Sequence, residues 1–350
     1  MPVFSVTQLE GDCARVFEGA GLSGEEAHRV ACSLVTANLM GHDSHGVIRV
    51  EQYIKSLQKG DVAPGQQISK VREADASAVV DGNKGFGQTT CRQAMALAIQ
   101  KARERSVAAV ELFNSFHIGR LGEYVEIAAE ANMIGMVMCN NHGGARLMSP
   151  FGGIDARMSP NPLAVGIPTG GEFPIVVDMT SSVVAEGKIR VKKNRGEMLP
   201  EGWAIDAEGR PIKNPKDFYG PPQGAILPLG GIAAHKGYAL ALVVDILSGA
   251  LGGGGCSRQN EPTTGHNSVF LLAIQIEAFT PIRDFINETD TLIRFLKQSR
   301  LAPGSDGIRM PGEIEYNLKR QREKEGVFVD DTTWKQIGET ARLLGVSLQG

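Results

Sequence analysis

The stretch Gly41-His42-Asp43-Ser44-His45-Gly46 stands between two segments whose apolar residues recur at helical spacing. It places two imidazoles, a carboxylate and a hydroxyl on one tight turn. The first helix is predicted to begin at the capping box Ser23-Gly24-Glu25-Glu26, and the second to end at Gly60. Arg49 follows His45 by four residues, on the same side of the second helix. A proton donor and a carboxylate-binding guanidinium at this spacing suit an enzyme that acts on small organic acids.

This turn supports three interpretations. His45, with Ser44 beside it, is a candidate acid/base residue, because a helix N-terminus lowers a histidine pKa. His42, Asp43 and His45 are alternatively candidate metal ligands, which would suit a hydrolase or lyase. In the third interpretation, Asp43 or Ser44 only caps the second helix and one histidine is structural.

The composition favours a globular enzyme. The chain has 350 residues, of which 42% are hydrophobic, and a net charge of −3 with acids and bases interspersed, so neither nucleic acid nor a membrane surface is an expected partner. The sequence has no stretch of about 18 apolar residues, so we expect no transmembrane helix. The five cysteines are widely spaced without a CxxC pair, and the N-terminus lacks a signal pattern, which predicts reduced thiols in a cytoplasmic protein.

The order of predicted elements indicates an α/β fold. Helices dominate both ends, whereas the middle alternates strand, loop, helix and strand, a rhythm that by itself favours a parallel sheet. We therefore predict a helical domain from residues 1–75 together with 280–350, and an α/β domain over residues 76–279.

Further polar residues follow predicted strands. His117 stands where a strand ends and a helix begins, so it is either an acid/base or substrate contact or a satisfied polar residue. Asn141 and His142 also follow a strand and either line the same pocket or form a polar turn. Arg49 is a substrate ligand if His45 is catalytic, and otherwise an ordinary surface arginine.

Nucleotide-binding signals are indirect. The GxGxxG fingerprint is absent, which argues against a Rossmann enzyme. Asp178 ends an apolar strand and would bind a ribose hydroxyl or cap a helix, and Lys236 begins an apolar helix and would contact a phosphate or be solvated. The basic run of Lys188, Arg190, Lys192, Lys193 and Arg195 is either a solvated helix face or a feature that favours a 2′-phosphate.

Colinear motifs connect these segments over about residues 5 to 345. They are the histidine turn with Arg49, Asp81 to Gly87, His117 to Tyr124, Ser159-Pro160-Asn161-Pro162, Val177-Asp178-Met179, Gly202-Trp203-Ala204, Lys236-Gly237-Tyr238 and Met310-Pro311-Gly312-Glu313. In these motifs the chain resembles the malate/L-lactate dehydrogenase type II oxidoreductases, a group that includes ureidoglycolate, sulfolactate and diketogulonate enzymes and cyclic-imine reductases. His235 stands where the resemblance leads us to expect an aromatic residue, and Cys256 to Gly265 match no subgroup.

The resemblance implies a non-Rossmann nicotinamide-binding domain with a largely antiparallel seven-stranded sheet, a helical domain from both termini, and a homodimer. It implies His45, Ser44 and His117 as the acid/base group and Arg49 as the carboxylate clamp. Asn141 and His142 are predicted as substrate contacts from their position after a strand. The implied cofactor contacts are Val177, Asp178, Met179, Leu229, Gly230, Lys236, Arg309, Pro311, Gly312 and Glu313.

The sequence therefore predicts an NAD(P)-dependent oxidoreductase of small 2-hydroxy and 2-oxo acids, with NAD slightly preferred over NADP. Two rival enzymes stay open: a reductase of cyclic imino acids, and the metal-dependent hydrolase or lyase based on His42, Asp43 and His45. A non-catalytic binding protein is the weakest alternative.

Overall fold

A computed structural model describes residues 2–144, 146–259 and 265–349, with the side chains of residues 194 and 195 excepted. Its helices are α1 (Val6–Gly19), α2 (Gly24–Leu39), α3 (Val50–Lys59), α4 (Gly87–Arg105), α5 (Gly122–Glu130), α6 (Glu186–Arg195), α7 (Pro215–Phe218), α8 (Ala234–Ala250), α9 (Ile282–Lys297), α10 (Glu313–Glu325) and α11 (Asp331–Leu343). Its strands are β1 (Val3–Phe4), β2 (Ser69–Ala74), β3 (Ser77–Asp81), β4 (Val107–Phe116), β5 (Met133–Asn140), β6 (Pro162–Ile167), β7 (Ile175–Thr180), β8 (Ala204–Ile205), β9 (Ala225–Ile226), β10 (His266–Gln275) and β11 (Val327–Phe328).

Local signals set the limits of the first helices. The Ser23 hydroxyl accepts a hydrogen bond from the Glu26 amide at the start of α2, as the capping box predicted. The Glu26 side chain does not complete the capping box by accepting from the Ser23 backbone N–H, because its buried carboxylate accepts a hydrogen bond from the Gly65 amide instead. Gly60 ends α3 in the left-handed conformation. The expected side-chain cap of α3 by Asp43 or Ser44 is wrong, since two short 3-10 turns, Asp43–His45 and Val47–Arg49, precede this helix.

A seven-stranded sheet in the order β2-β3-β4-β10-β5-β6-β7 forms the centre of the molecule. Strands β3 and β4 run parallel because α4 connects them as a crossover, whereas the other five neighbouring pairs are antiparallel. The sheet is therefore mixed. This corrects both the largely antiparallel sheet that the resemblance implied and the parallel sheet that the element rhythm favoured.

Two large groups of buried side chains organise the chain. One packs residues of α1, α2 and α3 with residues of β11 and α11, so both ends of the chain share a core. The other fills the space between the sheet and helices α4 and α5. The predicted division into residues 1–75 with 280–350 and residues 76–279 stays a prediction.

Helix α8 has one buried and one exposed face. It packs on β5, β6 and β10, and its buried Asp245 carboxylate accepts hydrogen bonds from the side chains of Asn140 and Asn161. Residues 231–250, which include α8, are the one helical stretch in the described chain that is long and apolar enough to cross a membrane, whereas the sequence predicts none. A single such helix is weak support for a membrane span, and the buried Asp245 carboxylate suits a protein interior better than lipid.

Candidate active site

The histidine turn is held by Asn38 from the end of α2. Its amide nitrogen donates to Asp43, and its amide oxygen accepts from the Val47 backbone N–H at 2.8 Å. A Cβ at Gly46 would overlap the Asn38 side chain, so only glycine allows this close approach. The turn therefore presents its side chains from a rigid base.

The structure brings the two candidate acid/base histidines together. The rings of His45 and His117 are stacked, with centroids 5.5 Å apart. The Ser44 hydroxyl lies 3.1 Å from Nδ1 of His45. Three of the predicted residues, from two distant segments, thus form one cluster.

Arg49 joins this cluster from the second 3-10 turn. Its Nε donates to the Ser44 carbonyl at 2.7 Å, and its Nη1 donates to Gln52 at 2.6 Å. These two bonds fix the plane of the guanidinium and leave its Nη2 edge without a hydrogen bond among the described residues. A fixed guanidinium edge is suited to bidentate binding of a carboxylate.

His117 is anchored through Nδ1 by a pair of fully buried polar residues. The hydroxyl of Tyr53, on α3, lies 2.6 Å from Nδ1 of His117. Gln88, in the first turn of α4, donates from its amide nitrogen to the same hydroxyl at 2.9 Å. Both Tyr53 and Gln88 have no exposed surface.

The electrostatic surroundings favour neutral imidazoles. Burial and the charge of Arg49 lower the pKa of His45 to about 3, and the same causes lower the pKa of His117 well below its ordinary value. Burial raises the pKa of the Tyr53 hydroxyl to about 12, so this group keeps its proton. In the free protein, the cluster is two uncharged histidines beside one cation.

The alternative metal site does not assemble. His42 turns toward Glu315 at 3.7 Å, Asp43 binds Asn38 and Arg322, and His45 stacks on His117. Within residues 2–144, 146–259 and 265–349, no three histidine, cysteine or carboxylate side chains come together as metal ligands. The hydrolase or lyase hypothesis based on this turn therefore has no support from the geometry.

Asn141 and His142 are connected to the cluster only indirectly, through the neighbouring Asn140. Asn267 donates to the Asn140 carbonyl and accepts from the Ile118 amide, so the end of β5 is tied to the segment that follows His117. His142 is engaged elsewhere, because its Nε2 accepts from the Asn114 backbone N–H, and burial lowers its pKa to about 4. No described contact joins either residue to the histidine pair.

A cavity of about 860 Å³ is lined by chain neighbours of the cluster, although His45, Arg49 and His117 are not among its lining residues. His42 and Arg120, which stand three residues before His45 and three after His117, both line it. Its walls include the predicted cofactor contacts Val177, Asp178, Met179, Arg309, Pro311 and Gly312. The structure thus gathers residues from β7 and from the segment before α10 around one space.

Asp178 and Arg120 are charged residues in the wall of this cavity. One Asp178 oxygen accepts the Gly122 backbone N–H at 2.7 Å, so the carboxylate caps α5, which precedes it in the chain, and not the following helix that the sequence suggests. Arg120, which is 4% exposed, binds both oxygens of Glu126 at 3.1 and 2.6 Å. Burial raises the pKa of Asp178.

The remaining predicted cofactor contacts are not lining residues of this cavity. Among the described residues, its lining does not include Leu229, Gly230, Lys236 or Glu313. Leu229 donates to the Ser181 carbonyl just beyond β7, Lys236 is exposed at the start of α8, and Glu313 accepts from the Met310 amide and pairs with Lys297.

Two predicted features involve residues whose placement is not described. The basic run lies on α6 rather than in the cavity: Arg190 pairs with Glu186 and Lys192 with Glu197, and the Arg195 side chain lies outside the described residues. Of the segment from Cys256 to Gly265, residues 260–264 lie outside the described residues as well.

Sequence reasoning missed Tyr53, Gln88 and Asn267 as parts of the site. Tyr53 did carry a signal, because it follows Arg49 by four residues and so shares its helix face. Gln88 and Asn267 had no local signal. They reach the cluster through tertiary contacts that span 35 residues (Gln88 to Tyr53) and 149 residues (Asn267 to Ile118).

Comparison with known proteins identifies full-length relatives. The profile of the malate/L-lactate dehydrogenase family matches residues 4–338. The malate dehydrogenase of Pyrococcus abyssi is 38% identical over 339 residues, which cover 95% of this chain and 92% of that protein. The structure of malate dehydrogenase from Pyrococcus horikoshii OT3 superposes with a TM-score of 0.89 at 34% identity, covering 99% and 96% of the two chains. That of delta1-piperideine-2-carboxylate reductase from Pseudomonas syringae pvar. tomato superposes with a TM-score of 0.84 at 28% identity, covering 97% and 100%.

Proposed function

Since this chain belongs to the malate/L-lactate dehydrogenase family, we propose that it uses a nicotinamide cofactor to interconvert a small 2-hydroxy acid and the corresponding 2-oxo acid. Relatives named as hydroxy-acid dehydrogenases cover nearly its whole length, and it is an oxidoreductase of this type. The cofactor, the substrate class and the roles of individual residues are the parts that we propose.

The observation that carries the proposal is the position of Arg49 next to two neutral, stacked histidines, with their chain neighbours His42 and Arg120 lining a large cavity. A 2-oxo acid presents a carboxylate and, on the adjacent carbon, a carbonyl oxygen that must gain a proton on reduction. The free edge of the Arg49 guanidinium suits the first group. An imidazole suits the second, because it can give and take a proton near neutral pH.

The size and the polar lining of the cavity support a nicotinamide dinucleotide as its occupant. At about 860 Å³ it lies in the range of cofactor pockets. The Gly312 backbone forms part of the cavity wall and has φ +89°. A Cβ at this position would come within 3.2 Å of Val176, so glycine keeps this part of the wall free of a side chain. Asp178 would accept a hydrogen bond from a ribose hydroxyl with its second oxygen. A bound nicotinamide supplies hydride to the substrate carbon, or accepts it in the reverse direction.

Substrate binding would prepare the proton donor. In the free protein, the positive charge of Arg49 disfavours a second positive charge on His117. A substrate carboxylate on Arg49 offsets that charge, so the pKa of His117 rises in the complex. The imidazolium then donates its Nε2 proton to the carbonyl oxygen during reduction and becomes the neutral Nδ1–H tautomer, and in oxidation this tautomer takes the proton from the hydroxyl group at Nε2. His117 is the better supported donor of the two histidines, because Tyr53 and Gln88 fix its ring.

The charges around the cavity favour NAD over NADP. The basic run on α6 that would attract a 2′-phosphate does not line it. Carboxylates outnumber guanidinium and ammonium groups in the lining, with Glu126, Glu130, Glu172, Asp178, Glu315 and Glu323 against Arg120, Arg309, Lys319 and Arg320. A doubly charged phosphate is less favourable there than a ribose hydroxyl.

The test is a substrate panel followed at the nicotinamide absorbance band. Purified protein is mixed with NADH or NADPH and with pyruvate, oxaloacetate, sulfopyruvate or Δ1-piperideine-2-carboxylate. We expect turnover of a 2-oxo acid, with a higher kcat/KM for NADH than for NADPH. Binding of nucleotide without turnover of any 2-oxo acid by folded protein would overturn the substrate class, and the absence of nucleotide binding would overturn the cofactor.

One second function has a specific observation in its favour. The structural match to a protein named delta1-piperideine-2-carboxylate reductase extends over 97% of this chain. A cyclic imino acid also presents a carboxylate next to the carbon that is reduced, so Arg49 could hold it in the same way. Turnover of the cyclic imine but of no 2-oxo acid would select this alternative.

We further propose that the protein is a homodimer. On α8, Leu242, Val243 and Ile246 are exposed, and on α9 Leu292, Phe295 and Leu296 are exposed, with Phe295 70% accessible. Exposed apolar residues clustered on two helices favour contact with another protein surface. Sedimentation equilibrium should give the mass of a dimer, and Val243→Lys with Ile246→Lys should shift it toward the monomer, whereas Val71→Lys, at an exposed strand position, should not.

A cytoplasmic location completes the proposal. Cys13, Cys32, Cys91, Cys139 and Cys256 are all free thiols, which suits a reducing compartment. Fractionation of cells that express the tagged protein would test the location.

A further inference from the structure

The Gln88 amide has one end that the structure leaves unused. Its nitrogen donates to the Tyr53 hydroxyl, while its oxygen is buried with no hydrogen-bond partner among the described residues. A buried, unpaired carbonyl oxygen is costly, so its retention next to the site requires a reason. The two ends of an amide have nearly the same shape, and a half-turn exchanges them.

The present arrangement fits only the neutral form of His117. Tyr53 has a single hydroxyl proton. Because the Tyr53 oxygen accepts from Gln88, its proton is free to go to Nδ1 of His117, which must then be unprotonated. The ring proton therefore stands on Nε2, the nitrogen that Tyr53 does not contact.

The charged form of His117 requires the opposite arrangement. An imidazolium donates from both nitrogens, so Tyr53 would accept from Nδ1–H and its own proton would need another acceptor. The His117 carbonyl, at 3.5 Å, is too far to be a good one. The unused Gln88 oxygen would provide that acceptor after a half-turn of the amide.

We propose that Gln88 is a positioning residue that acts through Tyr53, and that its amide turns over when Nδ1 of His117 gains or loses its proton, which is the step that charges the resting Nε2–H ring. Either orientation leaves one end of the amide unpaired, so the exchange costs no net hydrogen bond at Gln88. The buried Tyr53 hydroxyl stays fully bonded in both states. The proposal rests on the proposed function only in taking His117 as the residue that exchanges a proton with substrate.

Other charged groups act on the same ring and must be kept constant in a test. His45 and Arg49 face His117 from the 3-10 turns, and both disfavour its protonation. Glu123, on α5, acts on Tyr53 from the opposite side, and it is held by the Ser33 hydroxyl at 2.6 Å. Substitutions at Gln88 leave all of these groups in place.

Two substitutions at Gln88 should move the titration of His117 in opposite directions. Gln88→Leu removes the acceptor that the imidazolium needs, so the alkaline limb of kcat for reduction should move down by about one pH unit. Gln88→Glu supplies an acceptor and a negative charge, so the same limb should move up by about one unit or more. Gln100→Leu and Gln100→Glu, at an exposed position of α4, are the matched controls and should leave it unchanged.

A spectroscopic readout that needs no turnover keeps the inference separate from the proposed function. With ¹⁵N-labelled histidine, the free protein should show His117 as the neutral Nε2–H tautomer at pH 7, and Gln88→Glu should raise its titration midpoint. An unchanged His117 signal in folded Gln88→Glu, or shifts of both variants in the same direction, would overturn the role of Gln88. A shifted signal with an unshifted rate profile would support Gln88 and overturn His117 as the proton donor.

Discussion

The imidazole rings of His45 and His117 stack with an angle of 16° between their planes and 5.5 Å between their centroids. Two positive charges at this distance would repel by about 3 kcal/mol at an effective dielectric constant of about 20. Arg49 and burial oppose protonation further. The pair therefore carries at most one positive charge near neutral pH, and each ring influences how readily the other accepts an additional proton.

The proton donor can be assigned by replacing each ring separately. We expect His117→Asn to lower kcat by about 10²–10⁴-fold with little change in KM, because a positioned general acid contributes about that much. His45→Asn should lower kcat less, since the ring that Tyr53 anchors remains. Steady-state kinetics with the 2-oxo acid found in the panel provides the measurement.

His28→Asn is the control for both variants, because His28 is exposed on α2, where its ring lies against the Cys32 sulfur. A larger loss of kcat in His45→Asn than in His117→Asn would reverse the assignment of donor. Unchanged kinetics in both would remove the pair from the mechanism.

Arg49 should contribute mainly to substrate binding. We expect Arg49→Lys to raise KM by about 10- to 100-fold with a smaller effect on kcat, because an ammonium cannot reproduce the two parallel bonds of a guanidinium to a carboxylate. Arg29→Lys, at an arginine paired with Glu25 on α2, is the matched control and should leave KM unchanged. If Arg49→Lys lowered kcat and left KM intact, Arg49 would be placed in the chemical step instead.

The lowered pKa of His117 predicts different pH profiles for the two directions. The profile of kcat/KM reports the free enzyme, in which His117 is neutral above its lowered pKa. Reduction requires the imidazolium, so its kcat/KM should fall about tenfold per pH unit from below pH 6.5 upward. Oxidation requires the neutral ring, so its kcat/KM should stay level as the pH falls through 6.5. It should decrease only once the pH falls below the lowered pKa of His117.

Initial rates from pH 5 to 9 would establish both profiles. Calorimetric binding of oxamate, an unreactive 2-oxo acid analogue, in buffers of different ionisation enthalpy should also show uptake of a proton, because the bound carboxylate offsets Arg49. A break in the reduction profile above pH 6.5, without proton uptake, would contradict the electrostatic assignment.

Much of the fold follows from short-range signals, and the residues concerned show why. Ser23 starts α2 and Gly60 ends α3 because a cap or a left-handed glycine needs only its immediate neighbours. The candidate catalytic turn was recognisable because its residues are contiguous. Asp43 and Ser44 were nevertheless wrong as caps, since Asn38 takes Asp43 for its own hydrogen bond.

The rest depended on contacts that have no local pattern. That β3 and β4 run parallel follows from how α4 crosses over the sheet, which apolar spacing cannot reveal. Gln88 reaches Tyr53 only after α4 packs beside α2 and α3, and a glutamine in a first helical turn otherwise suggests a solvated residue. The cavity forms only when β7 meets the segment around Pro311, whose carbonyl accepts from the Val176 amide at 3.1 Å. Contacts between segments this far apart form only in the folded chain, so no local pattern in the sequence predicts them.

A buried carboxyl group remote from the histidines predicts how stability depends on pH. Glu111, in β4, is 4% exposed, and neither of its oxygens has a hydrogen-bond partner among the described residues. The backbone at Gly252 lies so close that a Cβ there would overlap the Glu111 side chain. Burial raises the pKa of Glu111 to about 9 from an ordinary 4.5.

The native state therefore keeps the Glu111 proton over a pH range in which the unfolded chain releases it. Below pH 4.5 both states are protonated and there is no effect; from 4.5 to about 9 the free energy of unfolding should fall as the pH rises, by up to about 1.4 kcal/mol per unit. Glu111→Gln removes this titration, so the stability of the variant relative to the natural protein should improve steadily between pH 5 and 8.5.

Denaturant unfolding at several pH values measures this difference in stability. Glu104→Gln, at an exposed position of α4, is the control, and its stability difference from the natural protein should stay constant with pH. Parallel stability curves for Glu111→Gln and the natural protein would mean that the carboxyl group is ionised in the fold and has a partner that stabilises its charge.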